Sequence, residues 1–545
     1  MSTCENTPAS SLSMLPYAGA WSFETASHLL RRTAFGPTKD QIDQLVSLGL
    51  DQAVESLLQI HSSEAPTTWH PDEAIGSQGD TWISEYLPLD LTLKSETNIA
   101  RKNSMYSWIV KRLNQEQLNP PSITEKMCFF WHNHFAVART TDDRINYTYH
   151  KLLETHALGN FNTLTEEITI NPLMMLFLDT AWSTKWSPNE NYAREFLELF
   201  TVGIGPQVGP GDYSNYTEED VAVGAKILTG WKVRENESHT DHPYSEFDPL
   251  HHDTTDKTFS YHFNNTTLSN ADQLEYKDFV NVIFQKDETA LHISRKLYTF
   301  FVNTEITLEI DTQVINTMKQ TLLANNYEIR PVLVELFKSE HFYDTSNVGS
   351  HIKSPFEFLF SMLNPTQTLP NHGFEGNNLM WRELYIRAVG FDLHWYKPPS
   401  VAGWPAYYKT PTFMQNWINS GTISNRFYCV TELTTSTDGI NSDEFGTLFN
   451  LKIDVLNFVS TLQTPHIPTA LIDEISQLFF ARPLDQTKKD ILLNTLTGGL
   501  PQFEWTIQYN EYSANPNDIV LSDPIKSKLE QVLSQLFMFP EFQSC

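Results

Sequence analysis

Apolar residues recur at helical spacing along most of the chain, in runs that end at glycine, proline or polar loops. The segment "SFETASHLLRRTAFG" begins with a Ser or Thr cap and ends at Gly36, and "TKDQIDQLVSLGLDQAVESLLQI" continues the same spacing. No internal repeat and no series of alternating strands interrupts these patterns. The sequence therefore predicts a mainly α, multi-helix bundle with little β. Further helical patterns cover about 85–115, 273–303, 311–325 and 329–340, then resume from 351 and 378 and through most of 411–545.

A predicted helix within residues 190–202 carries an acidic face. With helical residues about 100° apart, one arc of about 140° holds Glu190, Asn191, Arg194, Glu195 and Glu198, and the other side is apolar. The acidic face is either solvated and crossed by i,i+4 ion pairs, or it is a buried wall of a site. In the second interpretation Glu195 and Glu198 act as ligands or as an acid/base pair.

The following helix, in "YTEEDVAVGAKILTGW", has clear signals at both ends. Thr217 is predicted to be its N-cap, because a threonine hydroxyl there accepts a hydrogen bond from a free backbone N–H. Acidic residues in the first turn favour the same start, since they interact well with the positive end of the helix dipole. Gly230 is predicted to stop the helix.

Helical periodicity is lost at about 235–270, which is predicted to be a loop insertion. Five of the 18 histidines of the chain fall there, together with several aspartates. Long insertions in compact proteins are usually functional or disordered, so a disordered polar loop and a ligand-rich site loop are both consistent with the pattern. The residues concerned are His239, His242, His251, His252 and His262, with Asp241, Asp248, Asp253 and Asp256.

Two histidines stand two residues apart in "SITEKMCFFWHNHFAVAR". On a continuous helix His132 and His134 point about 200° apart, so they cannot both face one site. His132 shares a face with Glu125 and Cys128, whereas His134 shares one with Lys126 and Phe130. Either one histidine serves a site and the other is packed in the core, or the helix ends here and both converge.

Composition excludes several classes of protein. At 545 residues the chain predicts two or three lobes, which we place at 27–430 and 431–545 after a tail at 1–26. Its net charge of -29 repels phosphate backbones and anionic lipid, so no nucleic-acid partner is expected. No apolar run approaches the ~18 residues of a membrane span. The start of the chain shows no secretory signal, which predicts a cytoplasmic product as written and an exported one if a signal was trimmed.

Common catalytic signatures are missing from the sequence. There is no H-E-x-x-H helix, no phosphate-binding glycine loop and no G-x-S-x-G elbow. The four cysteines are far apart and form no C-x-x-C pair, so neither a zinc knuckle nor a disulfide framework is indicated. Aromatic turns such as "VAGWPAYY" can form a sugar platform, although core packing is the commoner use of such rings.

Several segments, in this order, resemble the bacterial family known as domain of unknown function 1800. The resemblance spans about 27–430, and Arg426 fits an arginine usual near the end of the pattern. The segments are "LLRRTAFGPT", "KMCFFWHNHFAV", "NPLMMLFLDT", "NENYAREFLELFTVGIG", "YTEEDVAVGAKILTGW", "HHDTTDKTF", "SRKLYTFFV", "IKSPFEFL" and "PPSVAGWP".

The resemblance implies a mainly helical bacterial protein and supplies no established activity. It also implies a possible protein partner from a sulfatase-like or phosphatase-like family, and members are often exported. The chain departs from the pattern in lacking a visible export signal. It departs again at Ser260 and Tyr261, where the pattern usually has a glycine. The acidic helix, the segment His132-Asn133-His134 (the HNH segment) and the "HHDTTDK" element belong to the pattern. They therefore become stronger candidates for a site.

Two functions of different classes follow from these observations. The first is a metal-dependent hydrolase with Zn, Mn or Fe in a mixed N/O site. The second is a structural or secretion-associated scaffold in which the charged motifs are buried ion pairs. A lesser alternative is a carbohydrate-active enzyme with two carboxylates roughly 5–9.5 Å apart. The candidate metal ligands are His132, His134, Glu195, Glu198, His252 and Asp253, and the candidate catalytic residues are Glu195, Glu198, Asp253 and Lys257.

Overall fold

The computed structural model describes residues 11–72, 74–118, 121–234 and 242–545. In these ranges 57% of the residues are helical and 7% are in strands, which confirms the predicted mainly α class. None of the described helices combines the length and apolar character that a bilayer span requires. The α-helices are α1 (Phe23–Thr33), α2 (Lys39–Leu57), α3 (Leu91–Leu118), α4 (Thr124–His134), α5 (Asp143–Thr155), α6 (Phe161–Thr169), α7 (Pro172–Phe177), α8 (Asn191–Glu195), α9 (Glu218–Ile227), α10 (Glu275–Phe284), α11 (Asp287–Phe301), α12 (Asn316–Ala324), α13 (Ile329–Lys338), α14 (Pro355–Leu363), α15 (Gly373–Gly390), α16 (Ser420–Thr434), α17 (Val455–Ser460), α18 (Pro468–Phe479), α19 (Gln486–Thr497), α20 (Gln502–Ala514) and α21 (Ile519–Met538).

The described structure also contains short antiparallel strand pairs. They are β1 (Gln207–Gly209) with β2 (Asp212–Tyr213), β3 (Trp231–Arg234) with β4 (Tyr244–Phe247), β5 (Lys257–Thr258) with β6 (Thr267–Leu268), and β7 (Ile440–Ser442) with β8 (Phe449–Leu451). In the second pair Trp231 stands opposite Phe247 and Arg234 opposite Tyr244. The predicted loop insertion therefore contains β4, β5 and β6. Its His239 and Asp241 lie outside the described residues.

The predicted start of α9 is confirmed in detail. The Thr217 side chain accepts a hydrogen bond from the backbone N–H of Asp220, and Asp220 Oδ2 accepts one from the Thr217 N–H at 2.8 Å. This reciprocal arrangement is a capping box, which satisfies two backbone donors at once. Beyond the helix, Gly230 has a φ of +89°, and a Cβ there would lie 2.8 Å from the carbonyl oxygen of Asp248. Glycine thus lets β3 approach the segment that carries His252.

One hydrophobic core runs through the whole described structure. Helix α4 lies at its centre and is buried at every position. It packs against α5 and α3, while α3 lies along α15. Aromatic rings fill the space around α4. Phe129 lies 5.2 Å from both Trp395 and Trp404, and Trp131 lies 5.5 Å from Phe161, measured between ring centroids.

The helices after residue 430 share this core. Helix α21 contacts α16, α17, α19 and α20, and its neighbour Phe542 lies 5.8 Å from Phe358 of α14. Arg31 of α1 also donates hydrogen bonds to the carbonyl oxygens of Leu478 and Phe479, at 2.7 and 3.2 Å. Side chains near the two ends of the described chain are therefore packed together.

The Thr217 cap leads to a first prediction. Thr217→Ala removes the hydroxyl acceptor of the capping box, so we expect the free energy of unfolding to fall by about 0.5–2 kcal/mol. The midpoint of denaturant unfolding measures this change. The matched control is Thr487→Ala, an exposed threonine in the first turn of α19, which should change stability by no more than about 0.5 kcal/mol. Equal midpoints for wild type and Thr217→Ala would show that the cap contributes nothing.

Candidate functional site

The acidic face of α8 is a network centred on Arg194. The guanidinium donates two hydrogen bonds to Glu218, at 2.8 and 2.7 Å, and a third to Glu190 at 3.2 Å. Glu198 lies 3.8 Å from Arg194 and accepts a hydrogen bond from the Tyr216 hydroxyl at 2.7 Å. The face is therefore only partly exposed, and its ion pairs join α8 to the first turn of α9.

Glu195 stands apart from this network. Its carboxylate is half-buried and makes no hydrogen bond or ion pair with the described residues. Burial raises the pKa of Glu195, and the nearby Glu198 carboxylate raises it further. Beyond Glu195 the helix widens into a π-helical turn, Phe196–Phe200, a feature frequently found at functional sites. The structure thus places the predicted Glu195/Glu198 pair together, with one carboxylate free.

His252 and Lys257 meet at Glu275 of α10. His252 Nε2 lies 2.8 Å from a Glu275 oxygen, and its Nδ1 lies 2.9 Å from the Thr229 carbonyl oxygen. Lys257 donates to the same carboxylate at 2.9 Å. Burial acts to lower the pKa of His252, but Glu275 and the Thr229 carbonyl outweigh it and raise the pKa overall. With an acceptor at each ring nitrogen, this imidazole is suited to an ion pair.

Asp253 turns away from this ion pair. Its Oδ1 accepts hydrogen bonds from the backbone N–H and the hydroxyl of Thr255, at 2.9 and 2.6 Å. That geometry is an Asx turn, which fixes a local bend of the chain. Asp253 contributes its backbone carbonyl, not its carboxylate, to Lys257. Of the two predicted ligands in this segment, His252 is therefore engaged by Glu275, and the Asp253 carboxylate is engaged by Thr255.

His132 and His134 point to opposite sides of α4, as the spacing of a continuous helix predicts. His132 Nε2 bonds to the carbonyl oxygen of Trp395. His134 Nε2 lies 3.1 Å from the carbonyl oxygen of Phe200. Helix α4 continues to His134, so the two imidazoles do not converge. Each ring uses one nitrogen to satisfy a carbonyl in the core.

The six predicted ligands do not form one group, but another set of donor atoms does. Among the described residues, Glu125, Cys128 and His150 bring ligand atoms within 4.8 Å of one another. Their exposed fractions are 0%, 0% and 1%, so the group is sealed inside the core. Glu125 and Cys128 lie one turn apart on α4, and α5 supplies His150. These residues could hold a metal ion.

Arg112 of α3 and Glu154 of α5 border this group. Arg112 Nη2 lies 2.8 Å from Glu154 and also contacts Glu125, without the geometry of a hydrogen bond. Both oxygens of Glu125 and Nε2 of His150 lack a hydrogen-bond partner in the described structure. His150 Nε2 lies 3.6 Å from Glu125 Oε2. Burial, and next the Arg112 charge, holds the pKa of His150 well below its usual range. The imidazole is therefore neutral, the form that binds metals.

Comparison with known proteins gives the family. A family model described as "Protein of unknown function (DUF1800)" matches residues 28–544. The chain belongs to the DUF1800 family. The match continues well past residue 430, where the motifs of the sequence pattern end. No curated protein and no solved structure matched the chain.

In this DUF1800 protein the helical spacing on α4 indicates that two members of the group, Glu125 and Cys128, lie on one face. Glu125 and Cys128 share a helical face with His132, which the sequence shows. His150 has no such signal, because nothing in the spacing says which face of α5 meets α4. His132 is nonetheless close enough to His150 to contribute to the lowering of its pKa.

The ion pair of His252 leads to a second prediction, on pH. The folded DUF1800 protein binds the His252 proton more tightly than the unfolded chain does. The resulting stabilisation is complete below the ordinary histidine pKa of about 6.5 and is lost as pH rises through the higher folded-state pKa. We therefore expect His252→Gln to lower the free energy of unfolding more at about pH 5.5 than at about pH 8.5.

Denaturant unfolding at the two pH values tests this expectation. The exposed His242 provides the control His242→Gln, for which the difference from wild type should be small at both values. A larger destabilisation by His252→Gln at the higher pH would reverse the sign and contradict the charged His252–Glu275 pair.

Proposed function

We propose that this DUF1800 protein is a structural scaffold that binds a divalent metal ion at Glu125, Cys128 and His150. The observation that carries the proposal is the grouping of three buried donor atoms within 4.8 Å of one another. Buried polar atoms normally have partners, yet both Glu125 oxygens and His150 Nε2 have none by hydrogen bonding. A metal ion would bind His150 Nε2 and the Glu125 carboxylate, which is already in an ion pair with Arg112, together with the Cys128 sulfur.

The donor set favours zinc or iron over manganese. A thiolate is a soft ligand that suits Zn and Fe, whereas Mn prefers oxygen donors. Zinc ligands lie about 2.0–2.3 Å from the ion in a tetrahedron, so their donor atoms are roughly 3.5 Å apart. Small side-chain movements within the 4.8 Å limit reach that separation. Charge also balances, because a dication offsets the Glu125 carboxylate and the Cys128 thiolate while Arg112 keeps its pair with Glu154.

Burial favours a structural role for this ion. Three protein ligands are the number usual in catalytic zinc sites, but those sites keep their fourth position open to water or substrate, whereas structural sites are closed. Each of the three ligands is at most 1% exposed. The ion would tie α4 to α5 at the centre of the core. The buried pairing of Lys257 with Glu275 also supports the scaffold alternative, since buried pairs of this kind can fix how helices pack.

A second candidate function is hydrolysis at Glu195, the last residue of α8, and Glu198, in the π-helical turn that follows. The observation that favours it is the free, half-buried Glu195 carboxylate beside Glu198. A carboxyl group with a raised pKa can act as a general acid near neutral pH, while Tyr216 fixes the neighbouring carboxylate. This site would serve the hydrolase or the carbohydrate-active alternative. The sulfatase-like or phosphatase-like partner implied by the resemblance stays a prediction.

Metal content tests the scaffold proposal. We expect about one equivalent of zinc or iron, measured by elemental mass spectrometry on protein purified without an affinity tag. Cys128→Ser and His150→Ala should lose most of this metal, because three protein ligands leave little redundancy. The matched control is Cys429→Ser, since Cys429 is equally buried and belongs to no such group.

His132→Ala and His134→Ala distinguish this site from the one that the sequence predicts at His132 or His134. Both variants should keep their metal if Glu125, Cys128 and His150 are the ligands. Loss of metal from either histidine variant, with full retention in Cys128→Ser, would assign the ion to the HNH segment instead. Folded wild-type protein without stoichiometric metal would contradict both assignments.

Substrate screening tests the hydrolase candidate. Wild type is assayed against chromogenic phosphate esters, sulfate esters and glycosides. Glu195→Gln is expected to lower any hydrolysis found by about 10²–10⁴-fold. Glu190→Gln is the control, because Glu190 lies on the same face and already pairs with Arg194. Activity that survives Glu195→Gln unchanged would exclude this carboxylate as the acid or base.

A further inference from the structure

Five basic side chains from distant parts of the sequence are buried close together. Their exposed fractions run from 0% to 6%, which is unusual for charged residues. Lys353 and Arg426 are linked directly, because Arg426 donates to the Lys353 carbonyl at 2.9 Å. Lys126 and Lys353 lie around the same carboxyl group, that of Glu357. We call this set the basic cluster; its members are Arg31, Arg32, Lys126, Lys353 and Arg426.

Only one member of the basic cluster has a carboxylate partner in the described structure. Lys126 forms an ion pair with Glu357. Arg31 and Arg32 donate instead to backbone carbonyls, including those of Leu478 and Asn347 at 2.7 Å. Neutral carbonyls satisfy hydrogen bonds but do not cancel charge. Glu357 and Cys545 are the acidic groups that act on both Arg32 and Lys353, so basic groups outnumber acidic ones around the cluster.

Several donors of the cluster have no partner at all among the described residues. They are Lys353 Nζ, Arg426 Nε, and Nε and Nη1 of Arg32. Lys353 Nζ lies 3.7 Å from the centroid of the Phe542 ring, a cation–π contact that leaves its three N–H groups unused. Unpaired buried charge is strongly unfavourable unless an opposite charge accompanies it. Burial lowers the pKa of Lys353 well below its usual range, which favours the neutral amine, whereas a negatively charged acceptor would use the unpaired donors and favour the charged form.

We propose that the basic cluster binds a tetrahedral oxyanion of the phosphate or sulfate class. Arginine presents its N–H groups in a planar fork that matches the oxygens of such anions, and lysine adds a point charge. A dianion would offset much of the excess charge and accept the unused N–H groups. The site is separate from the proposed metal group, although Lys126 and Glu125 are adjacent on α4.

A cleft reaches the edge of the cluster. It has a volume of about 630 Å³ and lies between α1, α2 and the C-terminal helices α18 and α19. Ser27 and Leu478 line it, and both are hydrogen-bond partners of Arg31. The cleft therefore reaches the hydrogen-bond partners of Arg31 but not the cluster side chains themselves, and its walls carry both carboxylates and the basic residues Lys39, Arg482 and Lys489.

Anion-dependent unfolding tests the proposal. The full chain is exchanged into buffer without phosphate or sulfate and titrated with inorganic phosphate, then with sulfate, at constant ionic strength. We expect the unfolding temperature of wild type to rise and to saturate with one of these anions, as binding to the folded state requires. Lys353→Met should weaken the apparent affinity about tenfold or more, because it removes a charged donor.

Lys353→Met keeps the approximate length of the side chain and removes a buried nitrogen that has no hydrogen-bond partner in the described structure, so it is expected to fold. The control is Lys277→Met, a largely exposed lysine paired with Glu166, which should respond to anions like wild type. If Lys353→Met does not fold, Arg426→Gln replaces it as the test variant. An equal response of wild type, test variant and control would mean a general salt effect and would overturn the proposal, as would no saturating response in wild type.

Discussion

Complete burial of helix α4 is the constraint on which the rest of this structure depends. No residue from Thr124 to His134 reaches solvent to any useful extent, yet the helix carries two ionisable side chains at its start and two histidines near its end. Each polar atom must find a partner inside the protein. The neighbouring elements supply most of them: an ion pair with Arg112 from α3 for Glu125, Glu357 from α14 for Lys126, and the backbone carbonyls of Trp395 and Phe200 for the histidines.

The same constraint explains why ionic groups of the DUF1800 protein lie so far inside. Glu125 needs a cation nearby and finds Arg112, while Lys126 needs an anion and finds Glu357. At the other end of the fold, Lys257 and His252 share Glu275. Buried pairs add little net stability over apolar packing, but removing one partner leaves an uncompensated charge. Such pairs therefore select one way of packing the helices over its alternatives.

Much of the architecture was predictable from the sequence, because helical spacing and caps are local properties. Thr217 and Asp220 are three residues apart, so the capping box can be seen in the letters themselves. The apolar side of the helix at 190–202 was also predictable, and Tyr192, Phe196 and Phe200 are buried as expected. The π-helical turn at Phe196–Phe200 was not, since it depends on packing around the helix and not on its own pattern.

The candidate sites were less predictable, because spacing gives the face of a helix and not the identity of what packs against it. The face shared by Glu125, Cys128 and His132 was visible, but which residue of α5 completes the group was not. The basic cluster is harder still to predict, because Arg31 and Lys353 lie close together although they are far apart in the sequence. In the 235–270 segment the histidines were consistent with a ligand-rich loop or with disorder. Composition could not show that Glu275 lies beside His252 and Asp248 beside His251.

Helix α4 separates two environments of opposite preference. Glu125 and Cys128 belong to a group of donor atoms that suits a cation, whereas the next residue, Lys126, belongs to the basic cluster, which suits an anion. Successive residues on a helix differ by about 100° in direction, so a single turn can serve both sides. A ligand on either side would stabilise the same buried helix, because it would bind the folded state and not the unfolded chain. The two sites would then be coupled through the packing of α4 alone, without a contact between the ligands.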